Sequence, residues 1–519
     1  MTLVQYSHIL VYRCNAPAYS GAADHIHWSG DLQFHDIHRN HYHHAFPKSN
    51  GNNSLEKYKK HSKSRLKKLK PNATIFLEKV VAFMLKRKIT EDLYKWKNDP
   101  KHKPLIIKGP RQCGKTFSVL EFAKDNYKNV VYLNFFENQA YRDIFSGSLE
   151  VDDLIMYMSV TVGSETTFEP GETVIILDEI QECPEARTAL KFFQLDGRYD
   201  CIGTGSLLGV SGYRDNPVSI PVGYETIIEM TPLDFEEFVW ANGISEIIIQ
   251  ELKQCMEQER PVPEPIHNRM QDLLLQYIVV GGMPEVVQTF VDTRQMNKVL
   301  RLQRDIIGSY EDDMIKHASR SDKARIRECF RSIPKQLAKE NKKFQYSVIK
   351  KGSTAASFAG CLQWIEDAGI IARCYNLTIT ELPLDGNAIQ EIFKVYMRDT
   401  GLFISMLEDG TQADVLQGNL YAYKGAIFEN LMADFLTKAG QKLYYYHKDS
   451  GLEIDFVTRH ESRCTIVEVK AKSGNAKSMK TILKHPEKYH VYDALKFGDY
   501  NIGRQGQILT LPLYMGAFL

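Results

Sequence analysis

The sequence predicts an α/β fold, a parallel sheet covered by helices on both faces, and three observations carry that expectation. Between residues 85 and 240, short apolar runs alternate with helical stretches, the pattern of repeated strand–helix units. One run, Thr173-Val174-Ile175-Ile176-Leu177, ends in Asp178-Glu179 and has the form of a strand buried on both faces. Another, Leu105-Ile106-Ile107, leads into a glycine-bounded turn followed by a helical stretch from Phe117 to Lys124.

That turn is Gly109-Pro110-Arg111-Gln112-Cys113-Gly114-Lys115-Thr116, which fits G-x-x-x-x-G-K-[ST] at every position. A strand, a tight turn and a helix N-terminus aim backbone N–H groups and the positive end of a helix dipole at one point. Lys115 adds a point charge for the β- and γ-phosphates, and the Thr116 hydroxyl can ligate magnesium. The expectation is a site for a nucleoside triphosphate and Mg2+.

The acids after the buried run fall at the C-terminal end of a parallel strand, where ligands of open α/β sheets bind. Asp178 is expected to hold the magnesium, and Glu179 to polarise the water that attacks the γ-phosphate. A further strand, Val130 to Phe135, places Asn134 near its end, where an amide can hold Glu179 off that water. Asp200 to Ser206 supplies a fourth strand. Its Thr204 and Ser206 are read either as γ-phosphate contacts or as strand-end caps.

Composition narrows the class. With 519 residues the chain has room for three or four domains, and 43% hydrophobic with 25% charged content describes a soluble globular protein. Lys+Arg of 65 against Asp+Glu of 64 leaves no overall bias toward nucleic acid, so any basic surface is local. Nine cysteines without a C-x-x-C pair suit reduced thiols and argue against a disulfide framework or zinc site. No apolar stretch approaches the roughly 20 residues that span a bilayer, and the N-terminus lacks signal-peptide order. A cytoplasmic protein that makes no membrane contact is expected.

Residues 1–75 stand apart as a His- and Lys-rich extension. His8, His25, His27, His35, His38, His41, His43, His44 and His61 crowd there without ordered ligand spacing. Metal binding is one reading, and a disordered extension or sequence upstream of a start at Met84 is the other. The lysines from Lys57 to Lys70 read as a solvated charge run or a polyanion contact.

After the 85–240 domain, a helix is expected to open at Thr231-Pro232-Leu233-Asp234-Phe235. Residues 241–320 read as a helical lid broken at Gly281-Gly282-Met283-Pro284-Glu285. Residues 321–395 hold basic helices and a helix through Phe358, Leu362, Ile365 and Ala368, ended by Gly369 and followed by Ile370-Ile371. This suggests a winged-helix-like segment, which serves either as a DNA binder or as a protein spacer.

Residues 396–519 carry a second constellation. Gly451 to Val457 and Cys464 to Lys470 alternate as strands. On adjacent strands Asp455 and Glu468 can share a divalent cation, with Lys470 on the same face and Glu429 on the preceding helix as a further carboxylate. Phosphodiester hydrolysis needs such a set, with carboxylates for Mg2+ or Mn2+ and a cation beside the nucleophile.

As an ordered set, these motifs resemble an AAA+ class ATPase family of bacteria and archaea. Its members pair a nucleotide domain with a C-terminal domain of restriction-endonuclease-like fold. The resemblance covers roughly residues 85 to 519 and includes Pro232-Leu233-Asp234-Phe235, Gly281 to Glu285 and Tyr396-Met397-Arg398-Asp399-Thr400-Gly401-Leu402. It implies ATP and magnesium at Lys115 and Thr116, hydrolysis through Asp178 and Glu179, and a PD-(D/E)XK signature at Glu429, Asp455, Glu468 and Lys470. Where relatives place a basic residue after Gly223, this chain has Tyr224. Arg198, Arg214 and Arg304 qualify as arginine fingers by residue type alone.

The expected function is ATP hydrolysis coupled to a C-terminal nuclease-like, DNA-binding module. The alternative is an ATP-dependent regulator or a defence or toxin–antitoxin component. Its nuclease-like domain would be catalytically silent and bind DNA or a protein partner. Self-association is left open.

Overall fold

A computed structural model describes residues 85–163, 166–206, 223–317, 322–339, 343–419, 423–470 and 476–519. All belong to one compact unit, Phe83–Leu519. The His-rich extension, Met84, Arg214 and the Pro221-Val222 dipeptide lie outside the described residues.

The apolar runs become strands. β1 (Leu105–Lys108), β2 (Asn129–Asn134), β3 (Thr173–Asp178), β4 (Asp200–Gly205) and β5 (Thr226–Glu229) lie parallel in the order β2-β3-β4-β1-β5. Alternate residues feed two cores, as a strand period of two requires. Leu105, Ile107, Val174 and Ile176 face the helices Ile89–Asn98 and Lys115–Asn126. Ile106, Ile175 and Leu177 face the helices Val151–Val162 and Pro184–Asp196. β3 is buried along its whole length, which is why its sequence is a continuous apolar run.

Beyond β5 the chain turns helical. The first helix runs Phe235–Ala241, later than Pro232 suggests, because Asp234 is its cap. The Asp234 side chain accepts from Glu237 N at 2.8 Å and the Glu237 side chain accepts from Asp234 N at 3.0 Å, a reciprocal capping box. The helices Glu264–Val280, Pro284–Thr293 and Met296–His317 continue the lid.

The helices Lys323–Leu337, Tyr346–Ile349 and Ala355–Asp367 precede the antiparallel pair β6 (Ile371–Leu377) and β7 (Ala388–Met397). These two strands, read from sequence as part of a winged-helix-like segment, form one side of a larger sheet. β6 pairs in parallel with β8 (Leu443–His447). β9 (Glu453–His460), β10 (Arg463–Val469), β11 (Asp493–Gly498), β12 (Gly503–Gln505) and β13 (Ile508–Pro512) complete the order β12-β13-β11-β10-β9-β8-β6-β7. The helix Lys424–Lys438 is buried from Ala426 to Leu436. Its Phe435 packs with Phe235 and Tyr277 of the lid.

One hydrophobic core runs from Leu233 to Met515, so lid and C-terminal sheet share an interior. The motifs Gly281-Gly282 and Asp399-Thr400-Gly401 meet there. Asp399 accepts from Gly282 N at 2.7 Å, and a Cβ on Gly401 would lie 2.4 Å from Gly281 N. Among the described residues no helix is long and apolar enough to cross a membrane, and the eight cysteines are buried free thiols.

Candidate functional site

The turn after β1 adopts a conformation that its glycines permit. Gly114 sits at φ 96°, where a side chain is strained, and a Cβ on Gly109 would fall 2.0 Å from Met230 O. Arg87, buried, donates to Cys113 O at 2.9 Å and Thr231 O at 2.7 Å while pairing with Glu237 at 3.1 Å. It thereby clamps the loop to the edge of the lid. Lys115 lies over its own loop, donating to Gly109 O at 3.0 Å and Pro110 O at 2.9 Å.

Asp178 stands beside this loop. It accepts from Thr116 Oγ1 at 2.9 Å, Tyr132 Oη at 2.7 Å, Asn134 Nδ2 at 3.1 Å and also Thr204 Oγ1. Burial and the Asp178 carboxylate hold the Tyr132 phenol well above its usual range. Asn134, expected to restrain Glu179, is instead bonded to Asp178, one residue away. Glu179 turns out of the strand at φ 54° and accepts from Gln181 Nε2. Ser206 is buried with no bonded partner for its hydroxyl. Of the loop residues between the two glycines, Arg111 pairs with Asp313 at 2.7 Å and its carbonyl accepts from Tyr310 at 3.1 Å. Cys113 is buried against Met230, and the side-chain oxygen of Gln112 is buried without a partner.

These residues fit a magnesium nucleotide. Thr116 and Asp178, in contact across the loop mouth, are the hydroxyl and carboxylate such an ion takes. Tyr132 and Arg87, which sequence reasoning missed, contact the acid and the loop of this site. Tyr132 was discoverable, since it shares a strand face with Asn134 two positions on. Arg87 carries no motif. Two of the candidate fingers form ion pairs: Arg198 pairs with Asp152 at 2.6 Å, and Arg304 pairs with Asp409.

The second constellation gathers on β7, β9, β10 and the helix Lys424–Lys438. Phe456 pairs with Val467, so Asp455 and Glu468 come next along the same ladder. Asp455 accepts from Val469 N at 2.8 Å, and Lys470 pairs with Glu468. Burial, then the nearby Glu429 charge, raises the Asp455 carboxyl. Lys394, absent from the sequence reading, is buried among them at 2.9 Å from Glu453 and 3.9 Å from Glu429. Glu429 also accepts from Tyr396 Oη at 3.2 Å. Among the described residues no group of three or more His, Cys, Asp or Glu side chains is arranged to hold a metal ion. Glu429, Asp455 and Glu468 thus do not form such a group.

Sheet order, phosphate loop and strand-end acid together define a P-loop ATPase domain of the AAA type. Residues 101–239 match the family described as AAA domain. Two families described as domains of unknown function match further on, DUF8612 over residues 271–413 and DUF4143 over residues 424–514. No curated protein matches the chain significantly. Among solved structures, the Walker-type ATPase PABY2304 of Pyrococcus abyssi is 13% identical with a TM-score of 0.38, covering 62% of this chain and 96% of that one. RuvB of Thermotoga maritima is 15% identical with a TM-score of 0.26, covering 55% and 88%. The ORC2 protein of Aeropyrum pernix is 13% identical with a TM-score of 0.25, covering 65% and 94%.

Proposed function

We propose that the protein hydrolyses ATP with magnesium and passes the cycle to a nuclease-like, DNA-handling C-terminal module. The observation that carries the hydrolytic reading is the Thr116–Asp178 contact of 2.9 Å beside the Lys115 ammonium. Magnesium, which Thr116 and Asp178 would hold, would offset the charge that develops on the phosphate oxygens. Loop N–H groups and Lys115 bind the phosphates, the lysine exchanging the carbonyls of Gly109 and Pro110 for phosphate oxygens. Tyr132, Asn134 and Thr204 fix the rotamer of Asp178. Glu179, just past the end of β3 with a left-handed backbone, orients the attacking water, and Gln181 restrains it. Ser206 offers its open hydroxyl to the γ-phosphate.

The test is ATP binding and turnover by wild type and Lys115→Ala. The variant should lose binding, and normal turnover would remove the assignment. The geometry of Lys394 favours the reading in which the C-terminal module binds DNA or a protein without cutting. Incubation with single-stranded, duplex and branched DNA in magnesium or manganese decides this, since cleavage abolished by Asp455→Ala would establish a nuclease.

A further inference from the structure

We propose that Lys394 is a built-in cation that occupies the place of a divalent ion among the C-terminal carboxylates, so that this cluster works without metal. The inference rests on the nuclease-like reading of the module for its choice of residues.

The geometry comes first. Glu429 from the helix Lys424–Lys438, Glu453 and Asp455 from β9, and Glu468 from β10 supply four carboxylates to this region; Glu429 and Glu468 are buried, while the Glu453 side chain is 41% exposed. Buried carboxylates demand compensation, because removing an uncompensated charge from water costs more than the fold can bear. Metal-dependent hydrolases meet that demand with an ion at about 2.0–2.6 Å from converging oxygens. Here an ammonium lies against two of the four. Lys394 Nζ is 2.9 Å from Glu453 and 3.9 Å from Glu429, its side chain is 2% exposed, and it lies 4.7 Å from the centre of the Tyr445 ring. An aromatic face beside an ammonium adds to its stabilisation.

Three of the carboxylates have further partners. Tyr396 holds Glu429, the Val469 N–H holds Asp455, and Lys470 holds one oxygen of Glu468. A single carboxylate oxygen, Glu468 Oε2, is buried without a partner. Magnesium keeps several waters and takes one or two carboxylates, and a fixed ammonium beside these carboxylates competes with it for their oxygens. Burial opposes the Lys394 charge, yet Glu429, Glu453 and Asp455 outweigh it and hold the ammonium above its usual range. Lys394 is therefore a charged positioning residue and not a free amine nucleophile.

The experiment is a manganese titration of the full, nucleotide-free chain, followed by electron paramagnetic resonance of free Mn2+ and by thermal melting. Wild type and Asp455→Asn should take up the same amount of manganese. Lys394→Met should take up one further ion per chain, and Lys394→Met combined with Asp455→Asn should lose it again. Lys394→Arg, which keeps the charge, should behave as wild type. Manganese bound by wild type and abolished by Asp455→Asn would overturn the proposal. So would a folded Lys394→Met protein that gains no ion, or a Lys394→Arg protein that does. If Lys394→Met does not fold, the comparison of wild type with Asp455→Asn decides alone. No ATP or nucleic acid enters this titration, so its outcome is separate from hydrolysis and from DNA binding.

Discussion

Asp455 is pushed up to about 7, by burial first and by the neighbouring Glu429 charge second, against about 4 for an unfolded aspartate. A carboxyl that holds its proton more tightly when folded contributes stability below the unfolded value, and that contribution is lost as pH rises through the folded one. Raising the pH from about 4 to about 7 should therefore shift relative stability toward Asp455→Asn, and urea denaturation across that range checks it. An unchanged gap would contradict the burial of this group. Residue by residue, the ATP site was the more legible of the two. Loop, lysine and acid pair are local in sequence, and each has a fixed spacing. What the sequence left open was partnership across strands. A period of two shows that Tyr132 and Asn134 share a face, not that both reach Asp178 in place of Glu179. Lys394 was illegible because an isolated lysine in a strand reads as solvated, and only the fold reveals its 2% exposure.

Among elements, the helix Lys424–Lys438 joins lid to sheet through a buried polar knot. Lys438 Nζ lies 2.9 Å from Asp434, 2.8 Å from Tyr277 Oη and 3.1 Å from Leu233 O, and Asp434 accepts from Thr400 Oγ1 at 3.2 Å. Removing one partner of such a buried pair leaves the other charge uncompensated. Lys438→Met should cost about 3–5 kcal/mol in denaturant unfolding, with Tyr277 and Thr400 unable to replace the cation. A loss near zero would mean that the pair is solvated. The glycine motifs belong to this scale too. In sequence, Gly281-Gly282 reads as a break between helices. In the fold, a Cβ on Gly282 would lie 2.0 Å from Leu233 O, so this glycine marks a backbone contact between distant segments. Turn chemistry is readable from a window of residues, whereas a contact across the fold is not.

Over the whole molecule, the shared core from Leu233 to Met515 predicts how the protein melts. Lid, helical segment and C-terminal sheet should unfold in one calorimetric transition, because no apolar boundary separates them. Addition of ATP with magnesium should raise a transition that includes the P-loop sheet. A lid that melts apart from the C-terminal sheet would count against a continuous interior. The expected sequence divisions near residues 320 and 395 followed composition, which does not register that β6 and β7 pair across to β8.

Gly369, at φ 74°, approaches the phosphate loop so closely that a Cβ there would stand 3.3 Å from Pro110 Cδ, and Arg398, which pairs with Glu229 at 2.6 Å, lies beside it. The phosphate-binding turn and Gly369, just past the helix Ala355–Asp367, thus touch directly. A Cβ at position 369 would therefore press on the turn itself, at a backbone angle that side chains rarely adopt.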